Sequence, residues 1–211
     1  MNLEKRYIIK YNKKKLCRYC PGKFRLETGS YEKAPKEYCE LCDLLISEFK
    51  INLNYNLFSN NNLPNEKALK DMCSILVENY NIINNTSDTI EDSFEEWVNM
   101  IKNTENYNIL ICKKDTEIIG FVCYTFLDIG LMLSEVQIKK DYQGKYDILR
   151  KMLKQVIDKS NKKLYSNVYG TISSKNIKSQ NVFKHIGFKN TKGILYKINI
   201  NDLMSWINRS K

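Results

Sequence analysis

A chain of 211 residues and 24.9 kDa, 43% hydrophobic and 27% charged, has the composition of a globular protein with one large domain, or a domain plus a small module. Eight glycines and three prolines exclude collagen-like and Pro/Gly-rich classes, and no stretch approaches the ~18 uninterrupted apolar residues of a membrane span. The net charge of +10 is segregated: residues 1–50 carry +5, residues 51–138 carry −8 and residues 139–211 carry +13. Two basic blocks around an acidic middle fit two ligands of opposite charge, although solvated helix faces of uneven sign would give the same totals. The N-terminus is basic but lacks the apolar stretch of a leader, so the expected compartment is the cytoplasm.

Residues 1–50 hold four of the seven cysteines as two CxxC pairs, Cys17/Cys20 and Cys39/Cys42, with 18 residues between the pairs. Each short turn lets two sulfurs reach one ion, and the intervening loop brings the pairs together around a tetrahedral Zn²⁺. Four thiolates close the coordination sphere, so the expected role is structural, in a zinc-ribbon-like module too small for a sizeable core. Two redox-active CxxC motifs are the alternative. Nine Lys/Arg against one Glu in residues 1–25 would suit nucleic acid or an acidic partner, while a docking or stabilising role fits equally well.

The second domain is expected over residues 51–211. Apolar residues at every second position of Ile51–Leu57 predict a strand with one wet face. Pro64 suits the first turn of a helix whose stripe is Leu69, Met72, Cys73, Leu76 and Val77. A second helix starts at Ser87 or Asp88, with Phe94, Trp97, Val98 and Ile101 as its apolar side. Strands follow at Tyr107–Cys112 and Glu117–Phe126, joined by residues 113–116, and then at Leu131–Ile138. The remaining elements are a helix over Ile148–Ile157, a strand over Leu164–Ser173, a helix over Asn176–His185 and a strand over Ile194–Ile200. This order gives a mixed α/β (α+β) domain with a central sheet.

Two stretches of this domain resemble the GNAT N-acetyltransferase superfamily. LSEVQIKKDYQGKY, residues 133–146, looks like that family's strand and acyl-CoA loop. NIKSQNVFKHIGF, residues 176–188, is similar to its Asn-x-x-Ala-x-x-x-Tyr-x-x-x-Gly-Phe pattern, with Asn176, Gly187 and Phe188 in place. The resemblance implies a mostly antiparallel sheet with flanking helices of the acyl-CoA N-acyltransferase type. It also implies acetyl-CoA as co-substrate, with Val136 and Ile138 pairing with pantetheine and Gln143, Gly144, Lys145 and Asn176 completing the cofactor site. The residues add their own support. A helix beginning after Gln143-Gly144-Lys145 presents unpaired N–H groups to a pyrophosphate, amid nine Lys/Arg and three Asp in residues 139–163. Two loop glycines of the family pattern fall on Tyr146 and Ile148, and the tyrosine that protonates the departing thiolate in many members falls on Phe183.

Glu135 is the expected general base, with a solvated strand carboxylate as the bland alternative, and alternation alone does not say which face it meets. Tyr169 is a weaker candidate acid, better explained by packing. His185 reads as a helix-end residue, and Cys73, Cys112, Cys123, Trp97 and Trp206 as core. The expected acceptor is a cationic small-molecule or peptide amine, steered by Asp88, Glu91, Asp92, Glu95 and Glu96. No membrane partner is expected. The rivals are a GNAT-like binding protein without catalysis and a nucleic-acid-associated zinc protein.

Overall fold

The computed structural model describes residues 52–144, 147–160 and 165–209, together with two short strands, β1 (Lys23–Arg25) and β2 (Tyr31–Lys33). The chain divides into two compact units with the boundary between Ile51 and Asn52. In the first, β1 and β2 form an antiparallel hairpin with Phe24 opposite Glu32. Cys17, Cys20, Cys39 and Cys42 lie outside the described residues, as does Lys145. Among the described residues no group of three or more His, Cys, Asp or Glu could hold a metal ion, and no helix is long and apolar enough to cross a membrane.

The second unit runs β3 (Leu53–Ser59), α1 (Glu66–Asn84), α2 (Ile90–Asn103), β4 (Asn108–Lys114), β5 (Glu117–Leu127), β6 (Gly130–Ile138), a 3-10 turn (Lys140–Tyr142), α3 (Ile148–Lys159), β7 (Asn167–Thr171), α4 (Ile177–Ile186), β8 (Lys189–Lys192), β9 (Leu195–Asn199) and α5 (Ile200–Asn208). The seven strands form one sheet in the order β3-β4-β5-β6-β7-β9-β8, antiparallel throughout except where β6 meets β7. That parallel pair needs a crossover, which α3 supplies.

Local chemistry sets the helix ends. Asn65 caps α1 by accepting from the Ala68 amide at 2.9 Å, so Pro64 precedes the cap instead of opening the first turn. Thr89 and Asp92 form a reciprocal capping box on α2, which moves its start past the expected Ser87 or Asp88. The β4–β5 connection is tighter than the expected four residues: Lys114 pairs with Glu117, and Asp115 turns the chain at φ 54°.

The sheet is covered on both faces, and alternation along β4 sorts its side chains between two cores. Ile109 and Ile111 join Leu69, Met72, Leu76, Trp97 and Ile101 of α1 and α2. Leu110 and Cys112 join Met152, Leu153 and Val156 of α3 and Leu203 and Trp206 of α5. The three expected core cysteines are all buried thiols. Neither β8 nor α5 was expected. The β8 sequence Lys-Asn-Thr-Lys is exposed throughout and is a strand only because β9 pairs with it. In α5, Ile200, Leu203, Trp206 and Ile207 form a short apolar stripe, which ends the last strand earlier than expected.

Candidate active site

The site begins where β6 leaves β7. The two strands pair only at Leu131–Leu133 with Val168–Gly170, and the C-terminal half of β6 then continues beside β5 alone. A bulge at Ser134 interrupts the β5–β6 ladder, with Tyr124 opposite Leu133 but Cys123 opposite Glu135. The extra residue reverses the side-chain alternation. Leu131 and Leu133, then Val136 and Ile138, face the α3 core, whereas Glu135 and Gln137 are turned toward α1.

The backbone alternates as well. The Lys139 amide donates to the Ile119 carbonyl at 2.9 Å, so Lys139, Gln137 and Glu135 direct their backbone groups at β5. Val136 and Ile138 therefore point theirs away from β5, into the opening. In agreement, the Ile138 carbonyl accepts from Asn79 Nδ2 at 3.2 Å and from Gln143 Nε2 at 3.0 Å.

Glu135 is half-buried and held at both oxygens. Tyr80 of α1 donates its hydroxyl to Oε1 at 2.8 Å, and Gln137 donates Nε2 to Oε2 at 2.9 Å. Burial pushes its pKa above the ordinary carboxylate value, and the two donors offset only part of that shift. A carboxylate made more basic yet kept in a fixed orientation is suited to accepting a proton. Tyr80 in turn is pushed far up by burial and by the Glu135 charge, so it stays a hydrogen-bond donor.

Beyond Tyr80 lies an open groove between α1 and α2, lined by Leu76, Val77 and Tyr80 on one side and Asp88, Ser93, Glu96, Trp97 and Met100 on the other. Of the five acidic residues singled out for steering, Asp88 and Glu96 line this groove, and Asp92 is engaged in the Thr89 capping box. The expected packing of Trp97 holds, since it is 6% exposed and its ring lies tilted against that of Phe121 at 5.9 Å.

The loop after β6 is anchored at both ends. Lys139 Nζ and the Tyr142 hydroxyl both bond Glu117, at 2.5 and 2.9 Å. Gly144 turns the chain at φ +72°, with open space where a Cβ would stand. Helix α3 then starts at Ile148, where the sequence placed it, after Asp147 at φ 54°. Its first-turn amides are left without intrahelical partners. Asn176 sits at the N-cap of α4, accepting from the Ser179 amide at 3.0 Å. Phe183 is packed against the Phe188 ring at 4.4 Å, and its Cε1 atom comes 2.9 Å from where a Cβ on Gly170 would lie. Only glycine at 170 admits the ring so closely. The Lys197 ammonium lies 5.8 Å from the centre of the half-buried Tyr169 ring.

With this geometry in place, comparison with known proteins assigns the family. The family model described as an acetyltransferase (GNAT) domain matches residues 68–189, more than half of the chain. This protein belongs to the GNAT family. Solved structures share the fold of the GNAT domain. An acetyltransferase from Thermus thermophilus aligns at a TM-score of 0.57 with 16% identity, covering 71% of this chain and 97% of that one. The PaiA N-acetyltransferase from Thermoplasma acidophilum, solved with coenzyme A, gives 0.54 with 16% identity over 70% and 98%. An aminoglycoside acetyltransferase from an uncultured soil metagenomic sample, solved with sisomicin, gives 0.50 with 10% identity over 71% and 94%. No curated protein matches the chain in sequence.

Asn79, Tyr80, Gln137 and Lys178, which complete the polar surroundings of Glu135 in this GNAT domain, were not foreseen. Asn79 left one trace in the sequence: it continues the buried stripe Met72, Leu76 as a polar residue at helical spacing, and it is 8% exposed. A buried amide needs partners, and here the edge of β6 provides them.

Proposed function

We propose that this GNAT protein transfers an acetyl group from acetyl-CoA to a primary amine by direct attack. The observation that carries the reading is the desolvated, doubly hydrogen-bonded Glu135 carboxylate beside the open edge of β6. Val136 and Ile138 would pair with pantetheine, and Gly144, Lys145 and the first turn of α3 would receive the pyrophosphate. Gln143, on the loop, and Asn176, at the N-cap of α4, would complete the cofactor site. Glu135 removes a proton from the amine, whose nitrogen then forms a bond to the thioester carbon. The Val136 N–H stabilises the charge that develops on the carbonyl oxygen as the C–N bond forms. That charge collapses as the C–S bond breaks, and coenzyme A leaves as a thiolate that takes its proton from water. No covalent enzyme intermediate is required.

The acceptor is a cationic amine, of a small molecule or a peptide, drawn to the groove by Asp88 and Glu96. Neutralising both, as Asp88→Asn with Glu96→Gln, is expected to raise KM about tenfold at low ionic strength and to change little in high salt. Equal KM values at low salt would refute the steering.

Calorimetric titration with acetyl-CoA, followed by a thiol-release assay over an amine panel, tests the whole reading. Saturable one-site binding and amine-dependent release of free thiol are expected, and absence of binding would overturn it. Phe183, which cannot donate a proton, favours one second reading, a coenzyme A-binding protein without turnover. Binding with no thiol release across the panel would select it.

The N-terminal unit is assigned a structural zinc ion on Cys17, Cys20, Cys39 and Cys42. The β1–β2 hairpin supports this, because it lies between the two CxxC pairs and pairs Lys23 with Lys33, three residues after Cys20 and six before Cys39. Elemental analysis should give one zinc per chain, lost when Cys39 and Cys42 are replaced by serine. A metal-free native protein purified under reducing conditions would refute it.

A further inference from the structure

A chain of hydrogen bonds crosses the site, and every bond in it has the same sense. Lys178 Nζ donates to Gln143 Oε1 at 2.6 Å, Gln143 Nε2 to Asn79 Oδ1 at 3.0 Å, and Asn79 Nδ2 to Gln137 Oε1 at 2.9 Å. Gln137 Nε2 then donates to Glu135. The two ends fix the direction: an ammonium only donates and a carboxylate only accepts, so each of the three amides has a single orientation that satisfies the chain. Aligned amides between a cation and an anion polarise one another, which strengthens the last bond, the one to Glu135.

The same chain is tied to the open edge of β6. Asn79 and Gln143 both donate to the Ile138 carbonyl and use both of its lone pairs. A ligand amide N–H arriving at that oxygen must displace one of them. Asn79 is buried on α1, whereas Gln143 sits on the loop, so Gln143 is the one that gives way. Lys178 is exposed and follows the ligand's phosphates.

We propose that Gln143, Asn79 and Gln137 are positioning residues that transmit occupation of the Ile138 edge to the Glu135 carboxylate. The inference rests on the acyl-CoA reading given above. In the ligand-free protein the chain stabilises the Glu135 anion. Binding opens the chain at Gln143, and Glu135 then holds a proton more tightly. The base is thereby strengthened when the cofactor is present.

The other groups facing Glu135 are Tyr80 from α1, Cys123 opposite it on β5 and Tyr107 at the start of β4, with Asp88 and Glu96 farther along the groove. Burial pushes Tyr80, Tyr107 and Cys123 far upward, so all three stay neutral while Glu135, itself raised by burial, ionises.

The test is the affinity for coenzyme A by calorimetry from about pH 5 to about pH 8, in buffers of different ionisation enthalpy. By linkage, a ligand that raises the proton affinity of Glu135 binds more weakly as pH rises through that titration. Relative to Glu135→Gln, which keeps the ligand's own phosphate titration, wild type should lose about fivefold in affinity across the range and take up protons on binding. Gln137→Leu should remove that difference. So should Lys178→Met, an exposed substitution that cannot disturb the core. Wild type indistinguishable from Glu135→Gln would overturn the inference, and so would a full wild-type dependence in both Gln137→Leu and Lys178→Met. Either result leaves the acyl-transfer reading standing. Absence of coenzyme A binding by wild type would overturn both.

Discussion

Replacing Glu135 with glutamine is expected to lower kcat about 100- to 10,000-fold, the range for removing a general base, while acetyl-CoA still binds. The substitution keeps the shape of the side chain and its place between Tyr80 and Gln137. What it removes is the lone pair that takes the amine's proton. The pH profile supplies an independent check. Burial raises the Glu135 pKa, and the base works only when ionised. Wild-type kcat/KM should therefore fall as pH drops through a value above the ordinary carboxylate range. Tyr80→Phe removes a donor that stabilises the anion, which moves that acidic limb to still higher pH. A Glu135→Gln enzyme with wild-type kcat would remove Glu135 from the mechanism.

The second large effect is expected at Val136. Its N–H is directed away from β5, so Val136→Pro deletes a donor to the opening without removing a ladder bond between β5 and β6. Proline is tolerated in a strand where the missing N–H faces outward. Loss of one oxyanion donor costs about 100- to 1000-fold in kcat. A melting temperature near wild type, measured alongside the kinetics, would show that the strand survives. An active Val136→Pro variant would place the oxyanion donor elsewhere.

Much of the domain is legible in its sequence because its elements bury one regular face. Met72, Leu76, Trp97, Val98 and Ile101 recur at helical spacing, and all pack where that spacing says. Even the bulge leaves a mark: in Leu-Met-Leu-Ser-Glu-Val-Gln-Ile the apolar residues shift phase from Leu131 and Leu133 to Val136 and Ile138. The α4 motif is legible for the same kind of reason. Asn176 caps the helix, and Gly187 ends it at φ +115°.

The surroundings of Glu135 were not legible. Asn79 and Tyr80 are 56 and 55 residues away from it in sequence, and Lys178 is 43 residues beyond it. An isolated carboxylate on a strand reads equally well as solvated. Its desolvation depends on α1 lying across that part of the sheet. β8 was hidden for a related reason, since four exposed polar residues carry no periodic signal and become a strand only through β9.

The sequence by itself determined the order of elements from β3 to α4, the family motifs, the segregation of charge and the paired cysteines, because each depends on local spacing or composition. Only the tertiary structure decided which face Glu135 meets and which groups hold it. It also decided that Phe183 is a packing residue against Gly170. Those properties come from contacts between elements distant in the chain, where one inserted residue at Ser134 turns a carboxylate from one face of the sheet to the other.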